Sequence, residues 1–151
     1  MNLRSLITIP IYIIGVSTLL LGAGWLFAPQ PWLLDQRANE LILQTSFDQL
    51  LAAEVNTNLG AYLTVIYRFF GWWVISIGVM VLSYAFATRL ETRRSQNILY
   101  LALAFIVIVM FYLEVKFIPV SPFLWAAYGF AAMLLLSFGA SVKASSKESS
   151  K

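Results

Sequence analysis

Residues 6 to 27 read LITIPIYIIGVSTLLLGAGWLF, an apolar run of 22 residues without a single charge. An α-helix rises about 1.5 Å per residue, so about 20 apolar residues cross a hydrocarbon core roughly 30 Å thick. Arg4 before the run and the small residues Gly22-Ala23-Gly24 also fit a cleaved signal peptide, but such peptides have an apolar region of only about 7 to 15 residues. The run therefore predicts a first membrane-spanning helix.

Three further apolar segments follow, at residues 59–88, 98–117 and 123–142. The composition agrees with membrane spans, because 60% of the residues are hydrophobic, 11% are charged and the mean hydropathy is +0.80, outside the range of soluble domains. The predicted fold class is an all-α membrane protein, with four transmembrane helices in a bundle formed by residues 1–142. The remaining residues, 143–151, read KASSKESSK and are predicted to be a disordered tail because they are too polar to pack.

The connection between the first two spans, residues 33–58, is acidic. Its charged residues are Asp35, Arg37, Glu40, Asp48 and Glu54. Ser46 followed by Gln49 is typical of a helix capping box. Apolar residues then recur on one helical face, at Phe47, Leu50, Leu51 and Val55. This pattern predicts a short amphipathic helical segment that lies on the surface of the bundle or of the bilayer.

The distribution of basic residues gives an orientation. Seven of the ten Lys and Arg residues fall on one side of the four predicted spans: Arg4, Arg89, Arg93, Arg94, Lys143, Lys147 and Lys151. The other side has Arg37, Arg68 and Lys116. Basic residues are enriched in cytoplasmic connections. Both termini are therefore predicted to be cytoplasmic, and the acidic connection is predicted to face outward, in a multi-pass protein of the cell membrane and, as we expect, of the bacterial inner membrane.

Small residues recur every seven positions in two spans. The first span has Thr8, Gly15 and Gly22, and the second has Thr64, Gly71, Gly78 and Ala85. Membrane helices approach closely where small residues let their backbones touch, and a heptad spacing fits left-handed packing. Glycine is also common in membrane helices without such a role. The favoured interpretation pairs these two faces.

Three ionisable residues lie within the apolar segments: Arg68, Glu114 and Lys116. Arg68 lies 21 residues before Arg89, and Glu114 lies 20 residues after Arg94, so both reach a similar depth in an antiparallel hairpin. Two interpretations follow. Arg68 forms a structural ion pair with Glu114 or extends to the headgroups, or its guanidinium holds an anionic ligand or lipid. The ion pair is favoured.

Aromatic residues surround Arg68 in the sequence, at Tyr62, Tyr67, Trp72 and Trp73. They could line a pocket for a lipid headgroup, a quinone or another amphipathic molecule. They also lie at the depth where spanning helices collect an interfacial aromatic belt, as do Trp25 and Trp32. The belt is the favoured interpretation.

The order of the spans, the long first outer connection and the sequence Arg68-Phe69-Phe70-Gly71 at the opening of the second main apolar run resemble small bacterial four-helix membrane proteins of the DoxX-like kind. The resemblance covers most of the chain in hydropathy. It implies the four-helix fold, and because such proteins are functionally diverse it implies no specific activity and no site residue.

The composition excludes much catalytic chemistry. The chain has no cysteine and no histidine, so it lacks thiolate nucleophiles, imidazole bases and the usual zinc and haem ligands. We expect no catalytic residue, no metal site and no cofactor. Nucleic acid is not expected as a partner either, because the basic residues mark the ends of the spans.

Three functions remain open from the sequence. The favoured one is a binding or accessory protein that contacts a membrane lipid, an amphipathic ligand, a membrane protein partner or a second copy of itself. A small transporter is the alternative, although transporters place ionisable or broken-helix sites near the midplane, and Glu114 is near the outer edge. An intramembrane lipid-modifying enzyme is third, since no recognisable triad is present.

Overall fold

Four long helices dominate the computed structural model, which describes residues 2–149. They are α1 (Leu3–Phe27), α4 (Leu59–Thr88), α5 (Arg93–Phe117) and α6 (Phe123–Ser149). Two short helices, α2 (Gln36–Leu43) and α3 (Phe47–Ala52), lie between α1 and α4. Each of the four long helices is long and apolar enough to cross a membrane, and residues 2–149 contain no strand. The prediction of four apolar helices long enough to span a membrane is therefore confirmed.

The ends of the long helices follow from local sequence. Asn2 caps α1 by accepting the Ser5 backbone N–H at 2.8 Å, and Thr92 caps α5 by accepting the Ser95 N–H at 3.1 Å. Side chains of these types satisfy backbone donors that a first helical turn leaves unpaired. Between α4 and α5 the chain reverses through Arg89 and Leu90, whose φ angles of 49° and 50° are left-handed.

The two ends of the bundle differ in character. We call the end that carries residues 28–58 and the 118–122 turn the outer end, and the end that carries the N-terminus and the 89–92 turn the inner end. Helix α1 lies between α4 and α6, and α5 packs mainly on α6. Helices α4 and α5 are joined by a short turn but share little contact.

Glycine determines the contact of α1 with α4. A Cβ atom added at Gly22 would lie 2.7 Å from the backbone oxygen of Gly71, and one added at Gly71 would lie 2.7 Å from the oxygen of Gly22. A Cβ at Gly78 would lie 3.0 Å from the oxygen of Gly15. The two small-residue stripes face each other, and Ala85 is buried in the same contact region. Only glycine permits a backbone approach this close.

A buried polar network joins α1, α5 and α6 in the inner half of the bundle. The Ser137 hydroxyl donates to the Ile7 carbonyl at 2.6 Å, and the Tyr100 hydroxyl donates to the Ser137 carbonyl at 3.1 Å. Ser141 bonds with Gln96 and Arg93. Pro10 lacks the N–H that would bond the Leu6 carbonyl, one residue before Ile7. No periodic pattern in the sequence predicts this network.

Three regions differ from the sequence predictions. Helix α6 continues past residue 142 to Ser149, because nothing between 143 and 149 breaks a helix and Ala144 still packs against the core. The predicted disordered tail is helical over that range, and residues 150–151 lie outside the described part. Trp25 and Trp32 are buried in protein contacts, with Trp25 against Phe70 and Phe123. Two short helices form in the outer connection, and α3 ends before the exposed Val55.

The predicted cap of α3 is present. The Ser46 hydroxyl accepts the Gln49 backbone N–H at 3.2 Å, while the Gln49 side chain bonds with Thr45. Phe47 is buried against Trp32, with ring centroids 6.4 Å apart. The outer connection therefore folds into a cap that packs onto the helix ends.

Candidate functional site

The outer end holds a buried acidic pair formed by Asp35 and Glu114. Asp35 closes the 3-10 turn Pro31–Asp35, which begins at a proline after α1, and its side chain is only 7% exposed. Glu114 lies near the outer end of α5 and is 8% exposed. The two carboxyl groups interact electrostatically. Burial of two like charges together is costly unless a proton or a cation compensates them.

Ser121 connects the two acids. It lies in the turn between α5 and α6 and is 3% exposed, and its side chain interacts with both carboxyl groups. The same oxygen accepts the Phe123 backbone N–H at 3.2 Å. The Asp35–Ser121–Glu114 group therefore ties the outer cap to α5 and α6.

The hydrogen-bonding capacity of Ser121 limits the charge of this group. A hydroxyl has one hydrogen to donate and two lone pairs. One lone pair is occupied by Phe123, so Ser121 donates to one carboxylate and accepts from the other carboxyl only if that group carries a proton. Both acids can therefore bond this hydroxyl at the same time only when the pair holds one proton.

Unsatisfied buried atoms concentrate at this end. Within the side chains described, residues 2–147, three buried polar atoms lack a hydrogen-bond partner: Trp32 Nε1, Asp35 Oδ1 and Glu114 Oε2. Trp32 and Asp35 belong to the same 3-10 turn. Burial raises the pKa of the Asp35 carboxyl above its usual value near 3.8, against the opposing effect of its bond with Ser121. Buried polar atoms without partners are rare in folded proteins and require an explanation.

A surface cavity of about 520 Å³ adjoins the acidic pair. Its polar lining comes from Asp35, Gln36, Arg37 and Glu40, and its apolar lining comes from Leu33, Leu34, Leu41 and Pro122. The Glu40 carboxylate accepts the Gln36 amide and the Phe47 backbone N–H, both at 2.9 Å, which holds its pKa below the usual value. The cavity therefore presents two acidic groups and one arginine beside an apolar wall.

The ion pair expected between Arg68 and Glu114 does not form. Arg68 is exposed on α4, and the ion pair found in residues 2–149 joins Arg4 to Glu91 instead. The expectation assumed that a short turn makes α4 and α5 neighbours, whereas α5 packs on α6 and Glu114 meets Asp35 and Ser121. Lys116 is also exposed and donates to the Tyr112 hydroxyl at 2.7 Å.

The aromatic candidates around Arg68 take two positions. Trp72 and Trp73 are exposed and contact each other and Phe69, with ring centroids 5.2 Å apart for the two tryptophans. Tyr67 is half-buried and accepts the Asn39 amide at 2.9 Å. Tyr67 thus ties α4 to α2, close enough to Asp35 to interact electrostatically with it, whereas the tryptophans face away from the protein interior.

No metal site accompanies the acidic pair in the described residues. There, no three acidic, histidine or cysteine side chains come together. Two carboxyl groups and a hydroxyl supply fewer oxygen ligands than the six to eight that Ca²⁺ takes. The Asp35–Ser121–Glu114 group is better suited to binding a proton, or a ligand that carries a positive charge.

Comparison with known proteins does not assign the chain. No family model matches it, and no curated protein or solved structure is significantly similar to it. The resemblance to DoxX-like proteins stays a prediction, and the site has to be interpreted from its own geometry.

Sequence reasoning singled out Glu114 but missed Asp35 and Ser121. Asp35 was one of four acids in a polar connection, and Ser121 was part of a proline-containing turn. One signal was available, because Asp35 follows the apolar residues Trp32, Leu33 and Leu34 directly after a proline. An acid within an apolar turn is a candidate for burial, but its partner is set by tertiary packing.

Proposed function

We propose that the chain is a multi-pass protein of the bacterial inner membrane, with both termini in the cytoplasm. Large apolar side chains are exposed along all four long helices, among them Leu20, Met80, Phe105 and Leu135. Such a surface suits contact with lipid tails. The excess of basic residues at the inner end supports the orientation.

Cysteine substitutions test this orientation. We expect Asp48→Cys to react with an impermeant thiol reagent in intact cells, whereas Arg93→Cys and Lys143→Cys react only after the membrane is permeabilised. The natural chain has no cysteine, so it is the background for all three variants. Labelling at residues 93 and 143 in intact cells, without labelling at residue 48, would show that the orientation is the opposite one.

Within this topology we propose that the protein binds an amphipathic ligand that carries an amine, in the outer cavity. The observation that carries the proposal is the acidic, apolar-walled cavity that shares Asp35 with a buried, incompletely hydrogen-bonded acid pair. A positively charged amine can compensate the Glu40 carboxylate and can replace the proton held by the Asp35–Glu114 pair. The exposed Leu33, Leu34 and Leu41 offer contact to an apolar portion. Amine-bearing membrane lipids have this combination.

Native mass spectrometry from mild detergent tests ligand binding. We expect an amine-bearing amphipathic molecule to copurify with the natural chain and to be lost from Leu41→Trp, which fills the cavity. Leu43→Trp is the matched control, because Leu43 is exposed on the same helix α2 but does not line the cavity. Equal retention by both variants would contradict binding in this cavity. A bound protein or a dimer with an empty cavity would instead support an accessory role or a homo-oligomer.

A small transporter is the second candidate, favoured by the buried Asp35–Glu114 pair. Paired acids that can exchange a proton occur in transporters. The pair lies at the outer end, however, and the sequence has no Asp, Glu, Lys or Arg between Arg4 and Asp35 to continue a path through α1. An enzyme has the least support, because a lone acid pair without histidine or a metal group offers limited catalytic chemistry.

A further inference from the structure

A second cavity with a different character lies at the inner end, between α1 and α4. It measures about 460 Å³ and is lined by Arg4, Thr8, Tyr12, Phe86, Ala87 and Arg89. Two of these six residues are arginines, contributed by different helical segments. Both arginines are exposed to solvent, and two guanidinium groups that line one cavity attract an anion.

The protein supplies only part of that compensation. Arg4 donates to Glu91 at 3.2 Å, and both side chains of this ion pair are exposed to solvent. Arg89 has neither a hydrogen bond nor an ion pair within the side chains described, residues 2–147. One net positive charge therefore remains at the cavity.

The remaining lining changes from polar to apolar along the helices. Tyr12 lies eight residues beyond Arg4 on α1, a distance of about 12 Å along the helix axis. Phe86, on the facing helix, is 77% exposed. The cavity thus begins at a cationic end and continues beside apolar side chains that face away from the protein. A small anion from solution would contact only the cationic end of this cavity, whereas a lipid would contact both parts.

We infer that this cavity binds the phosphate group of an anionic membrane lipid, with the glycerol and upper acyl carbons along Tyr12 and Phe86. Arginine matches phosphate oxygens through paired N–H groups. The Thr8 hydroxyl donates to the Arg4 carbonyl at 3.1 Å, and the Tyr12 hydroxyl can donate to an ester oxygen. In the proposed topology the lipid is in the cytoplasmic leaflet. The inference uses that topology but not the outer ligand, so either can fail alone.

The test compares two arginines that carry the same charge but lie at different positions. Arg89 lines the cavity, whereas Arg94 is exposed on the first turn of α5 and does not. The full chain is purified in mild detergent, and binding of phosphatidylglycerol and of phosphatidylcholine is measured by native mass spectrometry titration. We expect Arg89→Gln to weaken phosphatidylglycerol binding about tenfold or more, the range for loss of a charged hydrogen-bonding group. Arg94→Gln should change it by less than about twofold.

Three outcomes would overturn the inference. Equal losses in Arg89→Gln and Arg94→Gln would show that only the general positive charge matters. Equal affinity of the natural chain for phosphatidylcholine would show that the net charge of the lipid is not recognised. Displacement of phosphatidylglycerol by millimolar inorganic phosphate would assign the site to free phosphate instead of a lipid. Thermal unfolding of both variants is measured alongside, and matching midpoints ensure that a binding loss at Arg89 is not loss of the fold.

Discussion

Gly22→Ala is expected to destabilise the bundle strongly. The new Cβ would lie 2.7 Å from both the Gly71 oxygen and the Ile75 backbone nitrogen. Backbone atoms cannot rotate away as a side chain can, so α1 and α4 have to separate. Overpacking of this kind costs on the order of 3 kcal/mol, and the separation also loosens the contacts of the neighbouring Gly71 and Gly78.

Glycines elsewhere in the same protein provide the control. A Cβ added at Gly129 or Gly139 in α6 meets nothing within 4 Å, and alanine is favoured over glycine in a helix by about 1 kcal/mol. Gly129→Ala should therefore be neutral or slightly stabilising. Unfolding in detergent by a denaturant series measures the difference. Similar midpoints for Gly22→Ala and Gly129→Ala would show that the close approach of α1 and α4 is not required.

Asp35→Asn is expected to stabilise the folded protein at pH 8 and to flatten its pH dependence. The folded pKa of Asp35 is raised above its unfolded value near 3.8. The folded state therefore holds this proton more tightly, so its stability is greatest below the unfolded pKa and falls as pH rises through the folded one. Each unit of difference corresponds to about 1.4 kcal/mol. Asparagine is neutral throughout, so it removes the like charge that interacts with Glu114.

Two variants separate this effect from ordinary surface charge. Asp48→Asn removes an exposed acid of the same connection, and we expect a change below about 0.5 kcal/mol. Arg68→Gln should also change stability little, because Arg68 is exposed and unpaired within residues 2–149. The measurement is the free energy of unfolding at several pH values from 4 to 8. If Asp35→Asn lowered stability at pH 8 and kept the natural slope, the shared-proton description would be wrong.

The helices and the contact of α1 with α4 could be anticipated because both depend on periodicity. An apolar run of sufficient length has few alternatives to a helix in lipid. Small residues that recur every seven positions mark the face of that helix that can approach another helix closely. The predicted second span, 59–88, matches α4. These properties are local to one helix or repeat along it, so the sequence contains them directly.

The acidic pair could not be anticipated in the same way. Counting residues gives the depth of Arg68 and Glu114 but not which helix lies beside each one. Asp35 and Ser121 come from a turn and a connection, where side-chain direction depends on backbone angles that no repeat specifies. Glu114 was predicted to pair with Arg68, whereas it lies against Asp35 and Ser121. Those neighbours come from the segments with the weakest sequence pattern.

The hydrogen bond from Ser137 to the Ile7 carbonyl has a consequence for biosynthesis. Of the four long helices, α1 is synthesised first and α6 last. Until α6 is made, the Ile7 carbonyl of α1 lacks its serine donor, and α5 lacks the helix on which it mainly packs. Helices α1 and α4 already fit each other through their glycines. We therefore expect assembly in two stages. An α1–α4 hairpin forms first in the bilayer, and α5 and α6 then pack onto it together. Before the second stage, Asp35 in the outer cap is not yet in contact with Glu114 of α5. The acidic pair therefore forms only when the last helix packs.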